Sequence, residues 1–257
     1  MFGWTKNSQR RKLLKATVSD EESAQLHRAL WQSTLLTVEE QSQLVRWTRI
    51  FIQEKNWEGC DGLEVTDEIK QAVAAAAGLM VMHHPEWYFD HTQSILIYPR
   101  PYVAKVVPKY QALGLWGEYA RAGETIYRGP VVLNWEDIRR AAKLHNRGHH
   151  LVIHEFAHQL DMINGPNADG LPPLPGNIDE DAWRIAMIGE YDAARSMVEQ
   201  GHRIFINDYG LTDVGEFFAV ASELYFQLPN ELAEFHPNVF QLLKQFYAID
   251  FRDREGQ

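Results

Sequence analysis

From Asp20 to Lys55 the apolar residues recur at helical spacing, and the pattern breaks only near Ser33 to Thr37. At the break, Thr37-Val38-Glu39-Glu40 has the form of a capping box, a hydroxyl followed three residues later by a glutamate, so two amphipathic helices are predicted. Thr66-Asp67-Glu68-Ile69 opens a third helix through an alanine run to Met82, with His83 and His84 at its end and Pro85 barring continuation. β-Branched and aromatic residues then dominate Ser94 to Pro99, Glu124 to Tyr127 and Val131 to Asn134. The last two are separated by Arg128-Gly129-Pro130, which predicts a small sheet with a hairpin. Trp135-Glu136-Asp137 leads into an amphipathic run to about Asn146, and the next helix carries His154-Glu155-Phe156-Ala157-His158 until Asn164-Gly165-Pro166. Asn164 to Gly176, rich in Pro, Gly and Asn, reads as a loop, and its position directly after that helix suits a lid. Helices follow over Asp179 to Gln200, closed by Gly201, then Asp213 to Phe226 and Glu231 to Tyr247. The pattern is that of a mainly helical α+β protein with a small sheet beside the His154 helix. Residues 1–90 form a helical part packed on residues 91–257, or the two make one continuous domain.

Composition narrows the function. With 257 residues, 45% of them apolar and 12% aromatic, the chain can bury a substantial core, in which the eight tryptophans are most simply placed. A formal charge of −10 offers no clustered cations for a phosphate backbone, which argues against direct nucleic-acid binding. Arg10-Arg11-Lys12 is followed only by Leu13-Leu14 before Lys15, so it lacks the apolar stretch of a targeting signal and reads as a solvated basic face. The richest apolar run, Ala72 to Met82, falls well short of the roughly 20 residues that span a bilayer. Cys60 stands alone, so neither an internal disulfide nor a cysteine metal site can form, and a soluble cytoplasmic protein is expected.

The chemistry concentrates in His154 to His158. Residues four apart on a helix lie one turn along the same face, so His154 and His158 can aim both imidazoles at one ion, with Glu155 placed to take a proton from the water that a catalytic zinc activates. Leu151-Val152-Ile153, Phe156, Ala157 and Leu160 give this helix the buried face such a site needs. The bland alternative is two histidines paired with Glu155 in an ordinary core. A third ligand must come from downstream, because Asp161 and Asn164 stand where the longer metzincin pattern needs Gly and His. Glu216 is the first candidate, Glu223 lies two turns on along the same face, and Asp213 is a third. Against Glu216 stands its position three residues after Asp213, where it would serve as the glutamate of a capping box. Asp161, near the same helical face as the two histidines, is a candidate to orient a ligand imidazole, and Tyr209 could donate to an oxyanion. His145, His149 and His150, just upstream, read as polar loop histidines.

The stretch HEFAHQLD over His154 to Asp161, together with Tyr209 and Glu216-Phe217-Phe218-Ala219, resembles the Mlc titration factor A family of bacterial proteins along nearly the whole chain. The Tyr-to-Glu spacing with EFFA is similar to the zinc centre of the anthrax lethal factor peptidases. The resemblance implies a zincin-like, gluzincin-type peptidase with one zinc held by His154, His158 and Glu216, Glu155 as general base and Tyr209 stabilising the transition state. It further implies aminopeptidase-like cleavage of peptides in the cytoplasm, and binding of the glucose-responsive repressor Mlc, which the family titrates away from DNA, affecting glucose-uptake genes. One departure is Val220, four residues after Glu216, where gluzincins often carry an aspartate; Asp161 is the candidate to replace it as orienting partner. The competing reading is a repressor-binding module whose zinc site is structural or vestigial.

Overall fold

The helical periodicity of the first third becomes α1 (Phe2–Lys15), α2 (Asp20–Ala29), α3 (Val38–Glu54) and α4 (Asp67–Val81) in a computed structural model. It describes residues 2–84, 86–103, 120–121, 124–125, 127–143 and 148–254. Two capping boxes set the starts of α2 and α3, Ser19 with Glu22 and the expected Thr37 with Glu40, and Thr66 caps α4. The alanine run makes α4 the central helix of this half, with Ala74 to Ala77 wholly buried. Its small residues admit α3 closely: a Cβ on Gly78 would lie 2.6 Å from the Trp47 ring and 2.7 Å from Leu44.

The first helix revises one expectation. Arg10 is not part of a solvated face: its guanidinium grips Glu54 at the end of α3 (2.6 and 2.7 Å), reaches Asp90, and lies 4.1 Å over the Tyr88 ring. Arg11 and Lys12 alone of that cluster remain exposed. The adjacent Lys55 turns inward. Its ammonium donates to the carbonyls of Tyr88 (3.1 Å), Phe89 (2.6 Å) and Thr92 (2.7 Å), and burial lowers its pKa to about 8.

The sheet has the order β1 (Asn56–Gly59), β2 (Ser94–Tyr98), β6 (Val131–Asn134), β5 (Glu124–Thr125). The first three strands run parallel, and β5 pairs antiparallel with β6 as the expected hairpin. A separate ribbon joins β3 (Tyr102–Val103) to β4 (Ala120–Arg121). β1 is not predicted by the pattern, since Asn56-Trp57-Glu58-Gly59 has no β-branched residue; α3 delivers it beside β2, where backbone pairing and the packing of Trp57 edge-on against Phe51 hold it.

The other half comprises α5 (Trp135–Lys143), α6 (Leu151–Asp161), α7 (Glu180–Glu199), α8 (Val214–Gln227), α9 (Pro229–Phe235) and α10 (Pro237–Tyr247). Pro85, His145 and the end of the run predicted to Asn146 lie outside the described residues. The helix expected from Glu231 to Tyr247 is two, because Pro237 has no amide to donate and starts α10 afresh after a non-helical His236. α8 packs along α6 and is flanked by α7, α9 and α10, while α4 packs on the other side of α6. One hydrophobic cluster runs from Leu26 to Phe251 and includes Phe51, Phe156, Trp183, Phe218 and Phe246, so the N-terminal helices and the α6–α8 pair share a core.

The loop after α6 is anchored rather than free. Gly170 donates its amide to Asp161 (2.8 Å) and receives the Trp183 indole N–H (2.7 Å), and Asn164 donates to the Leu171 carbonyl (2.9 Å). Its backbone also lies against the start of α8, where a Cβ on Gly215 would stand 2.4 Å from the Ala168 carbonyl oxygen.

Candidate metal centre

Every residue of α6 is buried, Glu155 included, so the helix is a core element with polar groups on the face turned to α8. That face carries His154 and His158. Opposite them, Asp213 caps α8 by accepting the Glu216 amide (2.9 Å). The Glu216 carboxylate does not turn back to complete a capping box. Its Oε2 lies 3.1 Å from His154 Nε2 and 3.3 Å from His158 Nε2. Among the three candidates for a third ligand, Glu216 is therefore the one brought to both imidazoles, while Asp213 is spent on the helix terminus.

Tyr209 sits in a 3-10 turn, Asp208–Leu211, capped by the Asn207 side chain. The turn docks on α8 through Gly210, where a Cβ would meet Ile206 at 2.8 Å and Val220 at 3.2 Å. Val220, the departure from the gluzincin pattern, thus forms the seat of this turn. The half-exposed Tyr209 donates its hydroxyl to Glu216 Oε1 (3.1 Å), with its ring 5.6 Å from that of His154.

Glu223 is on the far side of the His154 ring. Its Oε1 lies 2.8 Å from His154 Nδ1, and Oε2 lies 2.6 Å from His149 Nδ1 and accepts the His150 amide. It makes no approach to Nε2, so it belongs behind the imidazole rather than in the three-residue cluster. Asp161 is fully buried; one oxygen accepts from Gly170, and neither its Oδ1 nor His158 Nδ1 has a hydrogen-bond partner among the described residues. At His154 the carboxylate against Nδ1 is that of Glu223 rather than Asp161. The signal for it in the sequence is the seven-residue step from Glu216 along one helix face, which points equally to a rival ligand. His149 and His150 also exceed their loop reading: His149 hydrogen-bonds Glu223, which raises its pKa, and His150 is buried at the start of α6, where desolvation lowers its pKa to about 4.

The electrostatics follow the geometry. Burial pushes Glu155 up to about 7. Burial alone would drive His154 toward neutrality, but Glu223 and Glu216 outweigh it and raise its pKa well above the usual value. Glu216 is desolvated too, yet its bonds to His154 and His158 hold it well below the carboxylate range. His154, His158 and Glu216 offer two imidazole nitrogens and a carboxylate oxygen, all within 4.8 Å of one another. This donor set fits a divalent metal ion, and an orienting carboxylate on a ligand imidazole is the usual support of such a site.

A helix bearing His-Glu-x-x-His, faced by a carboxylate from a second buried helix beside a small sheet, defines a metallopeptidase. The comparisons agree, and the chain belongs to the family of glucose-regulated metallo-peptidases M90, whose profile matches residues 4–248. It is 32% identical over 234 residues to the Mlc titration factor A of Serratia proteamaculans, covering 86% of this chain and 87% of that one. To the protein of the same name from Yersinia pestis it is 33% identical over 240 residues, 88% and 85% of the two chains. An uncharacterised Synechocystis protein is 30% identical over 217 residues, 84% and 78%. These relatives bear out the resemblance carried by HEFAHQLD and EFFA.

Proposed function

We propose that this chain is a zinc aminopeptidase of gluzincin type that also binds an Mlc-like repressor. His154, His158 and Glu216 hold the zinc, Glu155 is the general base, and residues 1–90 brace the catalytic part. The observation that carries the reading is the meeting of His154 Nε2, His158 Nε2 and Glu216 Oε2 on two packed helices. Bound there, zinc supplies Lewis acidity, polarising the scissile carbonyl and acidifying the attacking water. Glu155 takes the proton released in the attack and returns it to the departing amine. Tyr209, hydrogen-bonded to Glu216 in the resting site, donates to the oxyanion as it forms. Neutralising the Glu216–Tyr209 side of the site with a metal also relieves the buried carboxylates of their mutual repulsion.

Repressor binding rests on the name shared by the Serratia and Yersinia relatives. It is consistent with a net charge of −10, which favours binding the repressor rather than the DNA itself. The reading sets the enzyme in the cytoplasm, which a single cysteine, Cys60, suits. No helix among the described residues is long and apolar enough to cross a membrane.

The test pairs zinc content with hydrolysis of amino-acid chromogenic substrates and short peptides by wild type and Glu155→Gln. One zinc per chain in both proteins with turnover only in wild type is expected. Zinc without turnover in either, alongside retention of an Mlc-type repressor in a pull-down, would instead favour a regulatory module with a structural site.

A further inference from the structure

The ring of His154 is held from both ends by one helix. Seven residues on an α-helix make almost two full turns, so Glu216 and Glu223 share a face of α8 about 10 Å apart along its axis. That face lies against α6, and the His154 imidazole stands in the gap, with Nε2 3.1 Å from Glu216 and Nδ1 2.8 Å from Glu223. Glu223 is almost fully buried, and three donors converge on it: the His154 ring, the His149 ring and the His150 backbone amide. The amide can only donate. A carboxylate gathering such donors presents acceptors alone, so the proton between Glu223 and His154 belongs on Nδ1, and Nε2 is the nitrogen whose lone pair a metal ion would take.

We propose that Glu223 is the positioning residue of the metal centre, fixing the His154 ring with its Nε2 turned to Glu216 and His158, and that His149 closes the carboxylate off from solvent. This rests on the zinc reading above, to which it adds the residue that prepares one ligand. The arrangement also explains how the chain does without a carboxylate at Val220: the same duty is moved one turn further along α8, where it grips the opposite end of the imidazole.

The test compares wild type with Glu223→Gln and Ser222→Ala. Glutamine keeps the shape but offers an amide that cannot serve all three donors; the serine change removes the buried bond to Tyr247 one residue away without touching His154. Zinc affinity is read by competition with a chromogenic chelator, and the His154 ring proton by NMR of the ¹⁵N-labelled chain. Wild type should show a protected proton on His154 Nδ1, with or without zinc. Glu223→Gln should lose that protection and bind zinc about 10- to 100-fold more weakly, while Ser222→Ala stays within about twofold of wild type. A wild-type His154 protonated on Nε2 alone, or zinc affinity unchanged in Glu223→Gln, overturns the proposal. Should Glu223→Gln fail to fold, the wild-type ring proton still decides. If wild type takes up no zinc, the metallopeptidase reading fails separately, and the ring proton still reports whether Glu223 orients His154.

Discussion

Replacing Asp161 by asparagine should stabilise the metal-free protein at neutral pH and above, by an amount that vanishes in acid. The carboxyl is fully buried where α6 meets the following loop, accepting the Gly170 amide on one oxygen. Burial raises its pKa from 3.8 to about 7. Folding therefore favours the protonated form. The stability this gives is fully present below the unfolded pKa and is lost as pH rises through the folded one, here between 3.8 and about 7. At about 1.36 kcal/mol per pH unit, ionising Asp161 costs the folded state about 4 kcal/mol at pH 8. Asparagine keeps the shape and an acceptor for Gly170 and has nothing to ionise. Urea unfolding of chelator-treated protein across pH 4 to 8 should give a difference near zero at about pH 4, rising to about 4 kcal/mol in favour of Asp161→Asn. Glu155 and His150 titrate in the same range, but in both proteins, so the difference isolates Asp161. A variant destabilised equally at every pH would refute the reasoning, because it would mean that the carboxyl group contributes a contact that the amide cannot make. Zinc affinity of the same variant separates stability from function. If ionised Asp161 orients His158 in the loaded site, the variant will bind zinc more weakly while its metal-free form is the more stable.

Three other perturbations probe the supports of the site. Lys55→Met leaves the carbonyls of Tyr88 and Thr92 without their donor, while that of Phe89 keeps the Thr92 amide. At about 1 to 3 kcal/mol for each of the two, partly offset by no longer burying an ammonium, the loss should be about 2 to 4 kcal/mol in urea unfolding. A loss under about 1 kcal/mol would show that those carbonyls find water instead. Gly215→Ala forces a Cβ against the Ala168 carbonyl and should cost about 1 to 3 kcal/mol. It should also weaken zinc binding, since Glu216 is the next residue; an unchanged melt and affinity would deny the close contact of loop and helix. Arg254→Ala frees Glu40, whose pKa of about 2 reflects the bonds of Arg254 and Thr37 outweighing burial. That stability is present above about pH 4.5 and lost toward pH 2, so the variant should be the less stable at neutral pH and show a shallower acid limb in a pH titration of unfolding.

The elements that were legible in the sequence are those whose signals are local. Thr37 and Glu40 announce α3, Thr66 starts α4, and Arg128-Gly129-Pro130 marks the turn between β5 and β6. What escaped depends on partners distant in sequence. β1 has almost no strand signal of its own and exists because β2 offers it a backbone edge. Arg10 reads as a surface cation until Glu54 and Asp90 are beside it. The break at Pro237 is marked by the proline itself but masked by the apolar spacing, which continues in phase on either side of His236.

The candidate site divides in the same way. His154, Glu155 and His158 lie within five residues, and their relation is a property of the helix alone, so the sequence suffices for it. Glu216 and Glu223 lie on the partner helix, and although Glu216 is the first candidate by sequence, helix geometry alone does not decide between them: both are glutamates, on one face, within reach of α6. What separates them is the axial offset of α8 against α6, set by packing of large side chains such as Phe217 and Phe218 and by the loop backbone pressed on Gly215. That offset puts the first carboxylate at Nε2 and the second at Nδ1 of a single ring. Slide α8 by two turns, about 10 Å, and Glu223 would come to the place that Glu216 holds. The division of labour between a ligand and its orienting group is therefore decided by register between two helices rather than by the identity of either residue.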